Sequence, residues 1–344
     1  MKKILAAMSG GVDSAVTVGL LREAGCDVAG ATMLLHDGGE AEAESAREAA
    51  ERLGVPFTVF DWRGEFRRSV IDPFTAVYRA GGTPNPCIFC NRALKFGKFL
   101  DEALRLGFDG MATGHYARVA YDGAAGIWRL FAAADPAKDQ SYMLCALTQE
   151  RLARVELPLG ALTKDRVRAL AAAWGLPQAS RRDSQDICFV PDGDYMAYLA
   201  AHGCPPTPGR FLAPDGRDLG PHRGFEGYTI GQRRGLEIAA GRRVYVVAKR
   251  RPDVVLGEAD ALLARRVRVR DMRWIAGTAP GAPLRAAGKL RYTAAAAPCL
   301  AEPEGDGVLL VFDTPQRAVT PGQTAVLYRD GEVLGGGAIE SAEA

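Results

Sequence analysis

The sequence contains no apolar run long enough to cross a bilayer, which takes about 20 residues, no internal repeat, and no low-complexity tract beyond the alanines at 294–297. An integral membrane helix and a repeat array are thereby excluded. An export signal is lacking too. The few apolar residues behind Lys2 and Lys3 give way to glycine at position 10, too soon for a signal peptide core, which points to the cytoplasm. Cysteine is sparse: seven in 344 residues, odd in number and scattered, which argues against a disulfide framework and fits a reducing compartment. Neither G-x-x-x-x-G-K-S/T nor G-x-G-x-x-G occurs at the glycine-rich start, so a Walker-type NTPase and a dinucleotide fold are not expected.

What is present is ordinary globular composition, 48% hydrophobic and 24% charged, with room for two or three domains. The formal net charge of +2 hides an uneven distribution. Residues 201–300 hold 18 Lys and Arg against 8 Asp and Glu, so a basic middle sits on an otherwise acidic chain and points to a polyanionic partner there. A solvated basic face is the plainer alternative.

Ser9-Gly10-Gly11-Val12-Asp13-Ser14 is the most informative segment. The apolar run 4–8 before it reads as a buried parallel strand, and 15–23 after it reads as a helix. A tight glycine turn between them aims the free N–H groups and positive dipole end of the helix at an anion, with phosphate the natural occupant. Ser9 and Ser14 can add hydroxyl donors, and Asp13 can cap the helix or help hold magnesium. The hexapeptide in this context resembles the pyrophosphate loop of the ATP pyrophosphatases, which adenylate a carbonyl or carboxyl oxygen.

Strand-like and helix-like segments alternate to about residue 120: strands over 4–8, 27–35, 57–62 and 110–119, helices over 15–23, 40–53, 66–79 and 91–106. Such alternation predicts an α/β domain with a doubly wound parallel sheet and ligands at the carboxyl ends of its strands. Met33 and Gly114 fall at such ends, although core packing and turn geometry would also account for them. Pro- and Gly-rich sequence over 202–227, a sheet element over 228–256 and short strands from 267 onward predict a small central domain and a C-terminal β-barrel. The expected boundaries are 1–203, 204–264 and 265–344.

Thr83-Pro84-Asn85-Pro86-Cys87-Ile88-Phe89-Cys90-Asn91 is the second informative segment. Two prolines fix an extended entry, and Asn91 can cap a following helix, which would place Cys90 at an amino terminus where a thiolate is stabilised. Cys188 is a third thiol, and a C-x-x-C pair plus one distant cysteine is a familiar metal-ligand or redox count. Cys26, Cys145, Cys204 and Cys299 read as packing residues.

Taken in order, the pyrophosphate loop, T-P-N-P-x-x-x-C-N followed by K-F, G-H-Y-A-R at 114–118, K-D-Q-S-Y at 138–142, the Cys188 segment, G-Q-R-R-G-L at 231–236, R-Y at 291–292 and T-P-G-Q at 320–323 resemble the bacterial tRNA 2-thiouridylases over nearly the whole chain. The resemblance implies ATP-dependent adenylation of the carbon 2 oxygen of the wobble uridine, then replacement of that oxygen by sulfur. Ala7, Met8, Ser9, Gly10, Gly11, Val12, Asp13, Ser14, Met33 and Gly114 would bind ATP with Mg2+. Cys188 would carry a persulfide and Cys90 would release its sulfur or close a disulfide. Asn85, Pro86 and Cys87 would meet the flipped base, and His115, Lys138, Asp139, Gln140, Arg291, Tyr292 and Gln323 would contact tRNA. Partners implied are the anticodon stem-loop of tRNA and an upstream sulfur donor such as a cysteine desulfurase or relay protein, with no membrane. For Lys138, Arg291 and Tyr292, solvated charge and barrel packing are alternatives.

The chain departs from the family pattern at two places. Cys87 stands where many members carry aspartate, and Gln185-Asp186 where they carry Thr-Gly. Three cysteines, Cys87, Cys90 and Cys188, are thus available as alternative ligands of an iron–sulfur cluster or of a structural zinc, beside the persulfide route. Rival readings are a small-molecule ATP pyrophosphatase and a non-catalytic ATP-gated RNA-binding module.

Overall fold

Ile4, Leu5 and Ala6 are almost wholly buried, as a continuous apolar run must be to lie at the centre of a parallel sheet. The computed structural model describes residues 1–180, 187–190, 193–238 and 241–344. Its first sheet has the order β3-β2-β1-β4-β7, all parallel, from β1 (Lys3–Ala7), β2 (Asp27–Leu34), β3 (Phe57–Asp61), β4 (Gly110–Ala112) and β7 (Val155–Glu156). The period of two sorts β1 between two cores. Ile4 and Ala6 meet α1 (Val12–Glu23) and α2 (Glu40–Arg52), whereas Leu5 meets Phe96, Phe99 and Leu100 on the opposite face. From β1 the chain winds one way to β2 and β3 and later the other way to β4 and β7. That reversal opens a crevice beyond the carboxyl ends of β1 and β4, the usual ligand position in such sheets.

The expected strand over 110–119 is two strands. β4 stops at Ala112, and β5 (Ala117–Asp122) forms a hairpin with β6 (Ile127–Ala132) that leaves the parallel sheet. Residues 113–116 break the strand because Gly114 lies against the start of α1: a Cβ there would sit 2.8 Å from the carbonyl carbon of Asp13. The hairpin joins the carboxyl-terminal sheet instead, Val333 pairing with Leu130.

The middle sheet, β10-β11-β8-β9, uses β8 (Gly209–Leu212), β9 (Asp218–His222), β10 (Tyr245–Arg250) and β11 (Asp253–Gly257) around Phe211, Phe225 and Val246. Two of these strands lie in the stretch read as merely Pro- and Gly-rich. The last six strands are β12 (Leu263–Trp274), β13 (Leu284–Lys289), β14 (Ala297–Glu304), β15 (Gly307–Arg317), β16 (Thr324–Arg329) and β17 (Glu332–Glu343). They close into the expected barrel because β12 pairs with both β15 and β17, leaving no free edge between them.

Both later sheets reach back to one turn of the first unit. The Thr83 amide donates to Pro321 O (3.0 Å) and Gln323 Nε2 donates to Thr83 O (2.9 Å), from the barrel. From the middle sheet, Arg251 donates to Arg79 O (2.5 Å), and the Phe225 ring covers Gly81 so closely that a Cβ there would lie 2.8 Å from it.

Candidate active site

The glycine loop spans β1 and α1 as expected. Gly10 has φ +74°, and a Cβ on it would stand 2.5 Å from the Glu42 carbonyl oxygen, so only glycine fits. Gly11 is the extended N-cap of α1. The serine hydroxyls shape the loop. Ser14 Oγ accepts from the Ser9 amide (3.1 Å) and donates to Gly11 O (3.0 Å), while Ser45 Oγ donates to Gly10 O (3.1 Å). Met8 and Val12 are buried, half-buried Met33 lies near the end of β2, and Gly114 presses on the backbone of Asp13 and Ser14. These residues surround the crevice beyond β1 and β4.

Gly11 takes the cap position, and the Asp13 carboxylate is held from two sides. Lys164 Nζ donates to both carboxylate oxygens at 2.8 Å, and the Tyr116 hydroxyl donates to Oδ1 at 2.8 Å. Tyr116 is fixed in turn by Gln140, whose Oε1 accepts from the Tyr116 amide (3.0 Å) and whose own amide donates to Tyr116 O (2.8 Å).

The cysteine segment corrects one expectation. The helix begins at Pro86, and its N-cap is Asn85, whose Oδ1 accepts from the Cys87 amide (3.2 Å). Cys87 therefore occupies the first turn and is exposed, whereas Cys90 is a turn further in and buried. Asn91 is buried inside the helix, donating to Met143 O (3.1 Å), and caps nothing. Burial overrides any help from the helix terminus and pushes the Cys90 thiol up to about 12. Cys188 reaches solvent, yet desolvation raises its thiol as well. The three thiols lie within electrostatic reach of one another, and Lys95 is the cation that opposes the upward shift at both Cys90 and Cys188. Among the described residues no three His, Cys, Asp or Glu side chains are placed to hold a metal ion.

The loop and the thiols belong to one neighbourhood. Glu42, whose carbonyl walls Gly10, also acts on Cys188. His115 follows Gly114, is buried against Phe96 with ring centroids 5.4 Å apart, and bonds Thr113 Oγ1 through Nδ1 (2.8 Å). Burial first and Lys95 second drive its pKa well below the usual histidine range, so it is neutral.

Residues expected at the tRNA have mixed settings. Asp139 accepts from the Ala133 and Ser141 amides (3.0 and 3.1 Å) and shapes its own turn, with Lys138 beside it. One Arg291 nitrogen donates to Ile230 O, Ala318 O and Thr320 Oγ1, tying the middle unit to the barrel. Tyr292 packs on Tyr142, centroids 5.9 Å apart, and Gln323 holds Thr83. Gln185 and Asp186 lie outside the described residues.

Sequence reading missed Lys164, Lys95, Tyr116 and Glu42 as site residues. Tyr116 and Lys95 stood inside recognised motifs, G-H-Y-A-R and K-F. Lys164 carried no local signal, because its partner is 151 residues away.

Comparison with known proteins agrees with this architecture. Residues 2–192 match a family described as "tRNA methyl transferase HUP domain", 197–255 a "tRNA methyl transferase PRC-barrel domain" and 264–339 an "Aminomethyltransferase beta-barrel domain". The chain is 46% identical to the tRNA-specific 2-thiouridylase MnmA of Carboxydothermus hydrogenoformans, over 98% of each chain. It is 47% identical to that of Chloroflexus aurantiacus, over 100% of this chain and 99% of the relative. A U34-tRNA thiolase from Methanococcus maripaludis, solved with its iron–sulfur cluster, is a remote structural match at TM-score 0.37 and 16% identity, covering 58% of this chain and 67% of that one. On full-length identity to such relatives, with the pyrophosphate loop and the cysteine segments in place, the chain belongs to the tRNA-specific 2-thiouridylase family.

Proposed function

We propose that the protein replaces the carbon 2 oxygen of the wobble uridine of tRNA with sulfur, using ATP. The observation that carries the reading is identity of 46–47% across essentially the whole chain to tRNA-specific 2-thiouridylases. A methyl transfer, which the names of two matched families mention, requires neither an anion loop nor convergent thiols.

A uridine carbonyl oxygen is a poor leaving group. Its attack on the α-phosphate of ATP forms an O2–P bond, expels pyrophosphate and converts the oxygen into the leaving group AMP. The amides at the start of α1 would offset charge on the departing pyrophosphate. Magnesium would enter with the phosphates of ATP, since the Asp13 oxygens are already engaged by Lys164 and Tyr116.

In the sulfur step, the terminal sulfur of a Cys188 persulfide attacks carbon 2 and AMP leaves. The Cys90 thiolate then attacks the Cys188 sulfur, releasing 2-thiouridine and forming a Cys90–Cys188 disulfide, which an external thiol reduces. The persulfide sulfur comes from a donor protein. In the alternative sulfur route Cys87, Cys90 and Cys188 would be the ligands of an iron–sulfur cluster, each thiol giving up its proton on binding, and the cluster would present the sulfur to be inserted; no step is routed through it. Both thiols must lose a proton before reacting, and Cys90 must also lose part of its burial. The target base must leave its stack to reach them, which costs a few kcal/mol and least for an unpaired loop nucleotide.

The test is mass spectrometry of tRNA nucleosides from cells lacking the gene, paired with purified protein, ATP and a persulfide donor such as a cysteine desulfurase supplied with cysteine. Loss of 2-thiouridine derivatives in cells and their ATP-dependent formation in vitro are expected. Unchanged 2-thiouridine in the deleted strain would refute the assignment.

A further inference from the structure

The loop differs from a Walker loop in having no lysine of its own, yet a buried ammonium stands at its rim. Lys164 is 8% exposed, and its Nζ lies 2.8 Å from both oxygens of Asp13, in the first turn of α1. Its placement runs against local helix chemistry. Lys164 is the first residue of the helix Lys164–Ala173, where a cation opposes the dipole and an acidic residue would stabilise. The fold also spends two other groups on that spot. Thr163 caps the helix, and Asp135 accepts from the Lys164 amide at 3.0 Å. A residue held against its local preference, with burial that costs free energy unless the charge is met, marks a functional demand.

The charge balance around Asp13 indicates what that demand is. One carboxylate faces the ammonium and the positive end of α1, and Tyr116 adds a hydroxyl donor. The Asp13 carboxylate thus engages donors that a phosphate oxygen could also use. We propose that Lys164 supplies, from 151 residues downstream of Asp13, the phosphate-binding ammonium that the loop lacks, with Asp13 and Tyr116 holding it where the β- and γ-phosphates of ATP arrive. This assignment rests on the adenylation reading above. Lys164 then contributes to ATP affinity through the phosphates that leave as pyrophosphate, and contributes little to binding AMP.

Calorimetric titration of the full-length protein with MgATP, magnesium pyrophosphate and AMP tests it. Lys164→Met is expected to weaken ATP and pyrophosphate at least about tenfold, the size of a lost charge-assisted contact, while AMP changes less than about threefold. Lys164→Arg, which keeps the charge, should recover part of the pyrophosphate affinity. Because Lys164→Met leaves Asp13 unpaired, the double variant Asp13→Asn with Lys164→Met guards against misfolding, and it should bind pyrophosphate about tenfold more weakly than Asp13→Asn alone. Equal losses for ATP and AMP would reduce the lysine to a structural clamp and overturn the proposal, as would unchanged pyrophosphate binding in a folded variant. A wild-type protein that binds neither ATP nor pyrophosphate would instead remove the adenylation reading itself.

Discussion

The two halves of the site are in opposite states of readiness. Around Gly10–Asp13 the backbone is set: a positive-φ glycine, two serine hydroxyls and a lysine–carboxylate pair fix the loop before any nucleotide arrives. At the thiols the reverse holds. Cys90 is buried and neutral, Cys188 is shifted the same way, and Lys95 is the cation that opposes both shifts. The contrast teaches that the two chemical steps are controlled differently. On the proposed mechanism, adenylation uses geometry built into a strand–turn–helix, while sulfur transfer requires both thiols to ionise and Cys90 to be uncovered.

The sharpest way to break the contrast is Cys188→Ser. It should abolish tRNA thiolation, a loss of at least about a thousandfold, because a hydroxyl carries no persulfide, while ATP affinity stays within about twofold. Thiolation that survived in the serine variant would remove Cys188 from the sulfur path. Reactivity of the thiols probes the closed half directly. At pH 7.5 the exposed Cys87 should be alkylated by iodoacetamide at least about a hundredfold faster than Cys90, because the thiolate is the nucleophile and burial suppresses it. Quantitative peptide mass spectrometry reads the two rates, and equal rates would mean that the thiol region is open.

Gly10→Ala tests the prepared half. A positive φ and a backbone oxygen 2.5 Å from the new Cβ should cost about 1–3 kcal/mol of stability and reduce ATP affinity about tenfold. Thermal melting and nucleotide titration measure both. A smaller effect concerns pH. Cys90 titrates near 12 in the folded protein against 9.0 ordinarily, so the fold favours its protonated form. The resulting stability is complete below pH 9 and is lost as pH rises toward 12. Between pH 8 and pH 10 the wild type should lose about 1 kcal/mol more than Cys90→Ala in urea unfolding, and matching slopes would place the Cys90 thiol in water.

These regions were also unequally legible in the sequence. The strand, the glycine turn and α1 are encoded within one continuous stretch, Lys3 to Glu23, so periodicity and turn chemistry expose them together. The barrel was legible for a similar reason, its strands being punctuated by turns such as Thr320-Pro321-Gly322. The helix start at Pro86 was misassigned because Asn85 and Asn91 are both competent caps, and which one works depends on whether Asn91 is buried against Met143. The break at 113–116 and the Lys164–Asp13 pair depend on contacts over 100 residues apart in sequence, to which local pattern is blind. The bonds of Arg291 and Gln323 between units were not legible either, because their partners lie on other elements that the motifs do not identify.

The turn at 79–83, gripped by Arg251 and Phe225 on one side and by Pro321 and Gln323 on the other, leads directly into Asn85 and Cys87. An RNA that reseats either of the later units therefore has a mechanical handle on the buried sulfur. The adenylating half feels the barrel by a second route, since Tyr116, which holds Asp13, leads straight into the hairpin that joins the carboxyl-terminal sheet, and Tyr142 beside its partner Gln140 donates to Thr324 O.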